Sequence, residues 1–143
     1  MTPAAARRAG RMIMIQGLVL THGAIGAELV KVVELILGPV AGLRAETNQG
    51  RSAKQTAEVV TGWLEQLAPA DGGLIFIDDY GGSCASASRL GGAESARVPV
   101  LSGVNLTMLL AFVTWREELA RAELVQRIID QGRLAVTVVG AAR

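Results

Sequence analysis

Short apolar runs alternate along this chain with stretches whose apolar positions recur every three or four residues. Met12–Leu20 is an almost unbroken apolar run, the pattern of a strand buried on both faces. Ile25, Leu29, Val32, Val33, Ile36 and Leu37 follow at helical spacing and predict one apolar helix face. Gly38 and Pro39 stop that helix: glycine accepts a left-handed cap and proline cannot continue the ladder. Val40–Ala45 predicts a weaker second strand, and Thr47–Arg51 reads as a polar loop. Ser52 and Gln55 form a capping box that opens a helix through Val59, Val60, Trp63, Leu64 and Leu67. Pro69–Gly73 predicts a turn, Leu74–Ile77 a third strand, and Ser83–Leu90 a short helix of small residues. A fourth strand is expected at Val98–Ser102, helices at Leu106–Trp115 and Ala120–Gln131, and a last strand at Leu134–Val139.

Strand and helix alternating at this spacing mean βαβ units. The expected fold class is α/β, a mostly parallel doubly wound sheet with helices on both faces. With 143 residues the chain is expected to form one domain, over 12–143, behind a disordered leader of residues 1–11. Arg7, Arg8 and Arg11 before the first apolar run imitate a secretory signal, but Gln16 interrupts the run and no small-residue cleavage site follows. A cytoplasmic location is therefore expected. A membrane-spanning helix needs about 18 nearly uninterrupted apolar residues, and Val98–Val113 is broken by Pro99, Ser102, Gly103, Asn105 and Thr107.

Composition narrows the chemistry. Fourteen Lys and Arg against 13 Asp and Glu give a net charge of +1, and only 3% of residues are aromatic. Such a chain offers neither the basic face nor the stacking platforms that nucleic-acid binding uses. The single cysteine, Cys84, excludes an internal disulfide framework and a multi-cysteine zinc site. The single histidine, His22, excludes multi-histidine metal centres, so no metal or cofactor is expected. Any histidine chemistry happens at one place.

Ligands of parallel α/β sheets gather beyond the carboxyl ends of the strands. The polar stretches there are Thr21-His22-Gly23, Asp78-Asp79-Tyr80-Gly81-Gly82-Ser83 and Gly103-Val104-Asn105. A lone histidine is ordinarily structural, and Gly-Gly-Ser before a helix is ordinarily a capped turn. Together they suit a phosphoryl group carried on an imidazole. The attacking nitrogen must hold a lone pair, and a carboxylate on the other ring nitrogen fixes that tautomer. Asp78 is the first candidate for the carboxylate and Asp79 the second. Backbone amides of Gly81, Gly82 and Ser83, with the hydroxyls of Ser83 and Thr21, are candidate donors to the phosphoryl oxygens. The loop is not a Walker loop, and Arg89 is its nearest basic residue. A hydrolase reading lacks the Gly-x-Ser-x-Gly elbow, and a zinc site of His22, Cys84 and a carboxylate has no supporting spacing.

Three motifs in order resemble the IIA component of the mannose-family phosphoenolpyruvate:sugar phosphotransferase system. They are Leu20-Thr21-His22-Gly23 followed by Glu34-Leu35-Ile36-Leu37-Gly38; Ile77-Asp78 followed by Gly81-Gly82-Ser83; and Gly103-Val104-Asn105 before a helix carrying Met108-Leu109. The resemblance spans Met12 to the C-terminus. It implies a phosphocarrier that accepts a phosphoryl group from HPr on His22 Nε2 and passes it to a IIB component, here expected as a separate polypeptide. By the same resemblance Asp78 orients the ring, Ser83 and the neighbouring amides hold the phosphate, and Asn105 lines the rim. The implied strand order is 2-1-3-4, with Leu134–Val139 as a fifth, antiparallel strand exchanged within a homodimer. A regulatory phosphohistidine module without sugar transport and a dihydroxyacetone kinase phosphotransfer subunit are the alternative readings.

The chain departs from the family at Cys84, where proline is usual, and at Asp79, where threonine is common. Cys84 is expected to be a buried small residue and Asp79 to face solvent, where it would not repel a phosphoryl group. Trp63 is expected in the core or a dimer face. Arg116–Arg121 is mixed in sign and reads as a solvated face.

Overall fold

The computed structural model describes residues 14–67 and 72–140. The expected leader and most of the Pro69–Gly73 turn lie outside the described residues. The elements are β1 (Gln16–Thr21), α1 (Ile25–Leu37), β2 (Leu43–Thr47), α2 (Ala53–Glu65), β3 (Gly73–Ile77), α3 (Ser83–Leu90), β4 (Val100–Leu101), α4 (Leu106–Trp115) and α5 (Arg121–Leu134). The four strands form one sheet in the order β2-β1-β3-β4, every pair parallel. This is the order that the resemblance implies.

Central strands β1 and β3 are apolar on both sides because the sheet is covered on both sides. Leu18, Leu20, Ile75 and Ile77 point into one core, against Val60 and Trp63 of α2 and Cys84, Ala85 and Ala87 of α3. Val19, Leu74 and Phe76 point into the other, against Val33 of α1, Met108, Leu109 and Phe112 of α4, and Leu124 and Ile128 of α5. Neighbouring residues of an extended chain face opposite ways, so one unbroken apolar run feeds two cores. In the second core Phe76 and Phe112 meet edge to face at 5.4 Å, a favoured aromatic geometry.

Helix punctuation follows the sequence. Ser52 Oγ accepts from Gln55 N and Gln55 Oε1 accepts from Ser52 N, the full capping box. Gly38 ends α1 at φ 85°, and its N–H reaches Glu34 O. The apolar stripe of α1, however, is broader than the surface it covers. Val33 is buried, while Ile25, Ile36 and Leu37 remain about half exposed.

Strand ends differ from the pattern in ways that have local causes. β1 begins at Gln16, and β2 is shifted to Leu43–Thr47, where Gly42 at φ 72° turns the chain into the sheet. β4 shrinks to two residues. Pro99 contributes only its carbonyl, which accepts from Ile75 N, and Gly103 at φ 75° turns the chain away. The expected strand at Leu134–Val139 does not form on this chain's own sheet. Leu134 is the last residue of α5, and Val136, Val138 and Val139 beyond it are exposed. Within that helix Gly132 allows a close approach to α4: a Cβ there would lie 2.5 Å from Met108 Cγ.

Arg116 corrects the solvated-face reading. It is only 6% exposed. Its guanidinium donates to Ile15 O at 3.3 Å and Ala41 O at 2.7 Å and lies 5.3 Å from the Phe112 ring centroid. An arginine at this point satisfies two carbonyls that the ladder leaves free. Trp63 is buried as expected, and Trp115 is half-buried with Arg127 stacked 4.7 Å above it.

Helix α3 sits against α2 through Gly91, where a Cβ would lie 2.6 Å from Val60 Cβ and 2.8 Å from Ala57 O. Gly91→Ala is expected to destabilise the fold by about 1–3 kcal/mol, since the obstructing atoms belong to a helix backbone and a β-branched stem. Gly62, inside α2, has nothing within 4 Å of such a Cβ. Gly62→Ala is expected to stabilise by about 0.5–1 kcal/mol. Urea midpoints of the two variants should move in opposite directions.

Candidate functional site

Parallel register builds the site. Leu20 pairs with Ile77 across β1 and β3, and Thr21 pairs with Thr47 across β1 and β2. The next residues out of the sheet are therefore His22, Asp78 and Asn48. Asn48 N donates to Thr21 O at 3.2 Å and extends the β1–β2 ladder past its end, while His22 N donates to the Asp78 side chain, at 3.0 Å from Oδ2.

The imidazole is held at both nitrogens. Nδ1 lies 2.9 Å from Asp78 Oδ2 and 3.1 Å from Oδ1, and Nε2 lies 3.2 Å from Ser83 Oγ. A carboxylate only accepts, so the proton belongs on Nδ1 and the lone pair on Nε2. The histidine side chain is 43% exposed and the aspartate side chain 16%. Nε2 is thus a nucleophilic atom at an open face, backed by a sheltered acceptor.

Gly81, Gly82 and Ser83 stand on the Nε2 side. Gly82 caps α3 with extended backbone and no side-chain hydrogen bond, and Ser83 is the first helical residue. Ser83 does not spend its hydroxyl on the helix cap. The first amides of α3 have no intrahelical partner and present the positive end of the helix dipole. Gly82 comes so close that a Cβ would lie 2.9 Å from His22 Cε1. Gly81 is exposed, with open space around it.

Two expected site residues are used elsewhere. Thr21 is fully buried, and its Oγ1 accepts from Gly26 N at 2.8 Å, so it braces the start of α1 and does not face the opening. Asn105 caps α4 by accepting from Met108 N and donates to Gly132 O of α5. It lines a groove between β4 and α5 with both polar ends of its side chain occupied. Asp79 is exposed, as expected, yet its Oδ2 lies 3.6 Å from the place a Gly82 Cβ would take. It stands at the rim.

Asn48 was hidden in a stretch that reads as polar loop, although it follows a strand as His22 does. Its Nδ2 donates to Ser83 Oγ at 3.0 Å. The same search of strand ends, applied to β2, finds it. Arg51, close by, is engaged with Glu46 and with Thr47 O at 2.7 Å.

Burial works to raise the Asp78 pKa. The His22 backbone N–H, the His22 ring and its own backbone N–H outweigh it and hold the carboxyl below the usual aspartate value. Burial, with the charge of Asp78, pushes the Cys84 thiol up to about 11, against a smaller opposing effect of Ser83. His22 Nδ1, an Asp78 oxygen and Cys84 Sγ lie within 4.8 Å of one another, a trio of metal-ligand type. To serve a cation it would have to break the Asp78–Nδ1 contact and ionise a reluctant thiol.

Fold and site define a parallel α/β protein with a nucleophilic imidazole at the carboxyl edge of its sheet. Over residues 17–129 the sequence matches the EIIA-man family, described as the fructose IIA component of the phosphotransferase system (PTS). The chain belongs to that family and is a phosphotransfer component of a sugar phosphotransferase system. The structure is similar to the EIIA component from Streptococcus agalactiae, with a TM-score of 0.79 and 22% identity over 87% of this chain and 97% of that one. It is similar to the mannose/sorbose-specific IIA subunit from Enterococcus faecalis, with a TM-score of 0.74 and 20% identity over 92% and 98%. The PTS IIA protein associated with the fucose utilization operon from Streptococcus pneumoniae aligns with a TM-score of 0.75 and 15% identity over 90% and 96%. These likenesses establish the fold. A comparison with curated proteins finds no match. No helix among the described residues is long and apolar enough to cross a membrane.

Two outcomes follow from the titration states. A carboxyl whose folded pKa is depressed contributes its full stability above the unfolded value of 3.8 and loses it as pH falls through the folded value. Asp78→Asn should therefore flatten part of the acid limb of a stability–pH profile while changing little of its shape near neutrality. The Cys84 thiol is buried and held near 11, so native protein at neutral pH should react with a disulfide reagent far more slowly than unfolded protein. Equal native and unfolded labelling rates would contradict this.

Proposed function

We propose that the chain carries a phosphoryl group on His22 Nε2, received from phospho-HPr and delivered to a IIB component. The observation that carries this is the two-sided hold on His22, with Asp78 at Nδ1 and Ser83 at an exposed Nε2. In the transfer the Nε2 lone pair attacks phosphorus in line with the donor's nitrogen. A bond forms at Nε2 as the donor's N–P bond breaks, and the donor imidazole leaves with its electron pair. The proton on Nδ1 stays there, and Asp78 stabilises the positive charge that the ring gains. The amides at the start of α3 and the Ser83 hydroxyl donate to the phosphoryl oxygens, a set of fixed neutral donors. Gly82 keeps that wall close to the ring. Delivery to IIB is the same displacement in reverse sense, with Nε2 as the leaving atom.

A homodimer formed by exchange of the segment after α5 accompanies this reading. The exposed valines at 136, 138 and 139 and a groove of about 410 Å³ between the short β4 and α5 support it. A location in the cytoplasm, where HPr and IIB would meet the protein, is part of the same proposal.

The test is incubation with phosphoenolpyruvate, enzyme I and HPr, read by intact mass. Wild type should gain one acid-labile phosphoryl group and His22→Ala none. Asp78→Asn should slow phosphorylation roughly a hundredfold, through loss of the tautomer and of charge compensation. Folded wild type that stays unmodified beside a cognate HPr would discard the relay.

A further inference from the structure

A serine hydroxyl has one hydrogen and two lone pairs, so what Ser83 offers His22 depends on its other neighbour. That neighbour is Asn48, whose Nδ2 lies 3.0 Å from Ser83 Oγ. An amide nitrogen only donates. It fills a lone pair of Oγ and leaves the single hydroxyl hydrogen for Nε2, 3.2 Å away. Nε2 holds a lone pair because Nδ1–H is bound to Asp78. The donors therefore point one way throughout: Asn48 Nδ2–H to Ser83 Oγ, Ser83 O–H to His22 Nε2, His22 Nδ1–H to Asp78. Hydrogen bonds aligned in this manner polarise one another.

Backbone contacts secure the placement of Asn48. Its N–H extends the β1–β2 ladder to Thr21 O, and its carbonyl accepts from Arg51 N at 3.1 Å. The side chain is half-buried and spans the gap between β2 and α3, 35 residues away in sequence.

We infer that Asn48 is a positioning residue for the phosphotransfer proposed above, acting through Ser83. The inference rests on the phosphocarrier reading of His22. Before transfer, Asn48 aims the Ser83 hydrogen at Nε2 and holds the ring from the side opposite Asp78. When the N–P bond forms, the Nε2 lone pair is consumed and the Ser83 O–H, its proton retained, redirects its hydrogen bond to a phosphoryl oxygen. Asn48 keeps the hydroxyl a donor throughout. A carboxamide does this without charge. A carboxylate at the same position would take the hydroxyl hydrogen for itself and repel the incoming phosphoryl group.

The test uses Asn48→Ala, Asn48→Asp, Ser83→Ala and the Asn48→Ala/Ser83→Ala double variant, with two readouts. In unphosphorylated protein, at a pH where imidazole is neutral, the ¹⁵N resonance of His22 Nε2 should move in Asn48→Ala in the same direction as in Ser83→Ala. The Nδ1 resonance should move less. In single-turnover phosphorylation by phospho-HPr, Asn48→Ala should be slower by about fivefold, the scale of one neutral hydrogen bond. Asn48→Asp should be slower still, and Asn48→Ala should add nothing once Ser83 is alanine. Independent, multiplying effects of the two alanines would overturn the inference. So would an Nε2 resonance unmoved by Asn48→Ala, or Asn48→Asp as fast as wild type. A wild type that never accepts a phosphoryl group sinks the carrier reading and this role with it. The resonances then still decide whether Asn48 acts on His22 through Ser83.

Discussion

The pairing of β1 with its two neighbours is the constraint on which the site depends. Parallel strands place residues of equal register side by side, and here that register ends with His22 flanked by Asp78 on one side and Asn48 on the other. A slip of one residue would turn Leu18 and Leu20 toward the α4–α5 face and Val19 toward the α2–α3 face, exchanging the two cores. The packing that fixes the register is therefore also what fixes the hydrogen bonds of the imidazole. Specificity at the open end of the sheet is set by side chains buried in its middle.

The helices divide the remaining work. α3 supplies Ser83 and the free amides, and its distance from the sheet is set by small residues. Ala85 and Ala87 face the core, and Gly91 admits α2 to van der Waals contact. Cys84 belongs to this set. It is fully buried beneath the ring, 3.9 Å from Nδ1, and its high pKa is that of a packed thiol. On the other face α4 and α5 are locked together by Gly132 against Met108 and by Asn105, which ties the start of one helix to the end of the other. That use of Asn105 is architectural, and it supports the strand end that bears Gly103.

Much of this was legible in the residues, and the omissions have physical causes. Period-3.6 stripes, the Ser52–Gln55 box and the Gly38-Pro39 stop are local signals, and the elements they mark form where expected. The His22–Asp78 juxtaposition is not local: residues at the carboxyl ends of two strands make Asp78 the candidate partner, and the strand order that sets those ends side by side comes from the resemblance, because spacing in sequence says nothing of two residues 56 apart. For Thr21, strand position alone does not say whether the hydroxyl points inward. Its side chain alternates into the sheet's packed face and meets Gly26 N. Charge along a helix suggests solvent at Arg116, whereas two carbonyls call for a buried donor there. Leu134–Val139 reads as strand by composition, yet a strand exists only where an edge accepts it, and on this chain α5 continues through Leu134. Asn48 lies in a polar loop, which carries no periodic signal.

The distribution of charge around the imidazole accounts for what such a site can and cannot hold. A negative carboxylate stands at Nδ1, where it favours a ring that is becoming positive. Neutral donors stand at Nε2: a hydroxyl, a carboxamide behind it, and helix amides. Arg51 is spent on Glu46 and a carbonyl, so no side-chain cation in that loop is free to grip a phosphoryl group. A carrier must release what it accepts, and binding that stabilised the phosphorylated state too strongly would slow the second half of its cycle. Amides and hydroxyls stabilise developing charge in the transition state while holding the product less tightly than a bidentate arginine does.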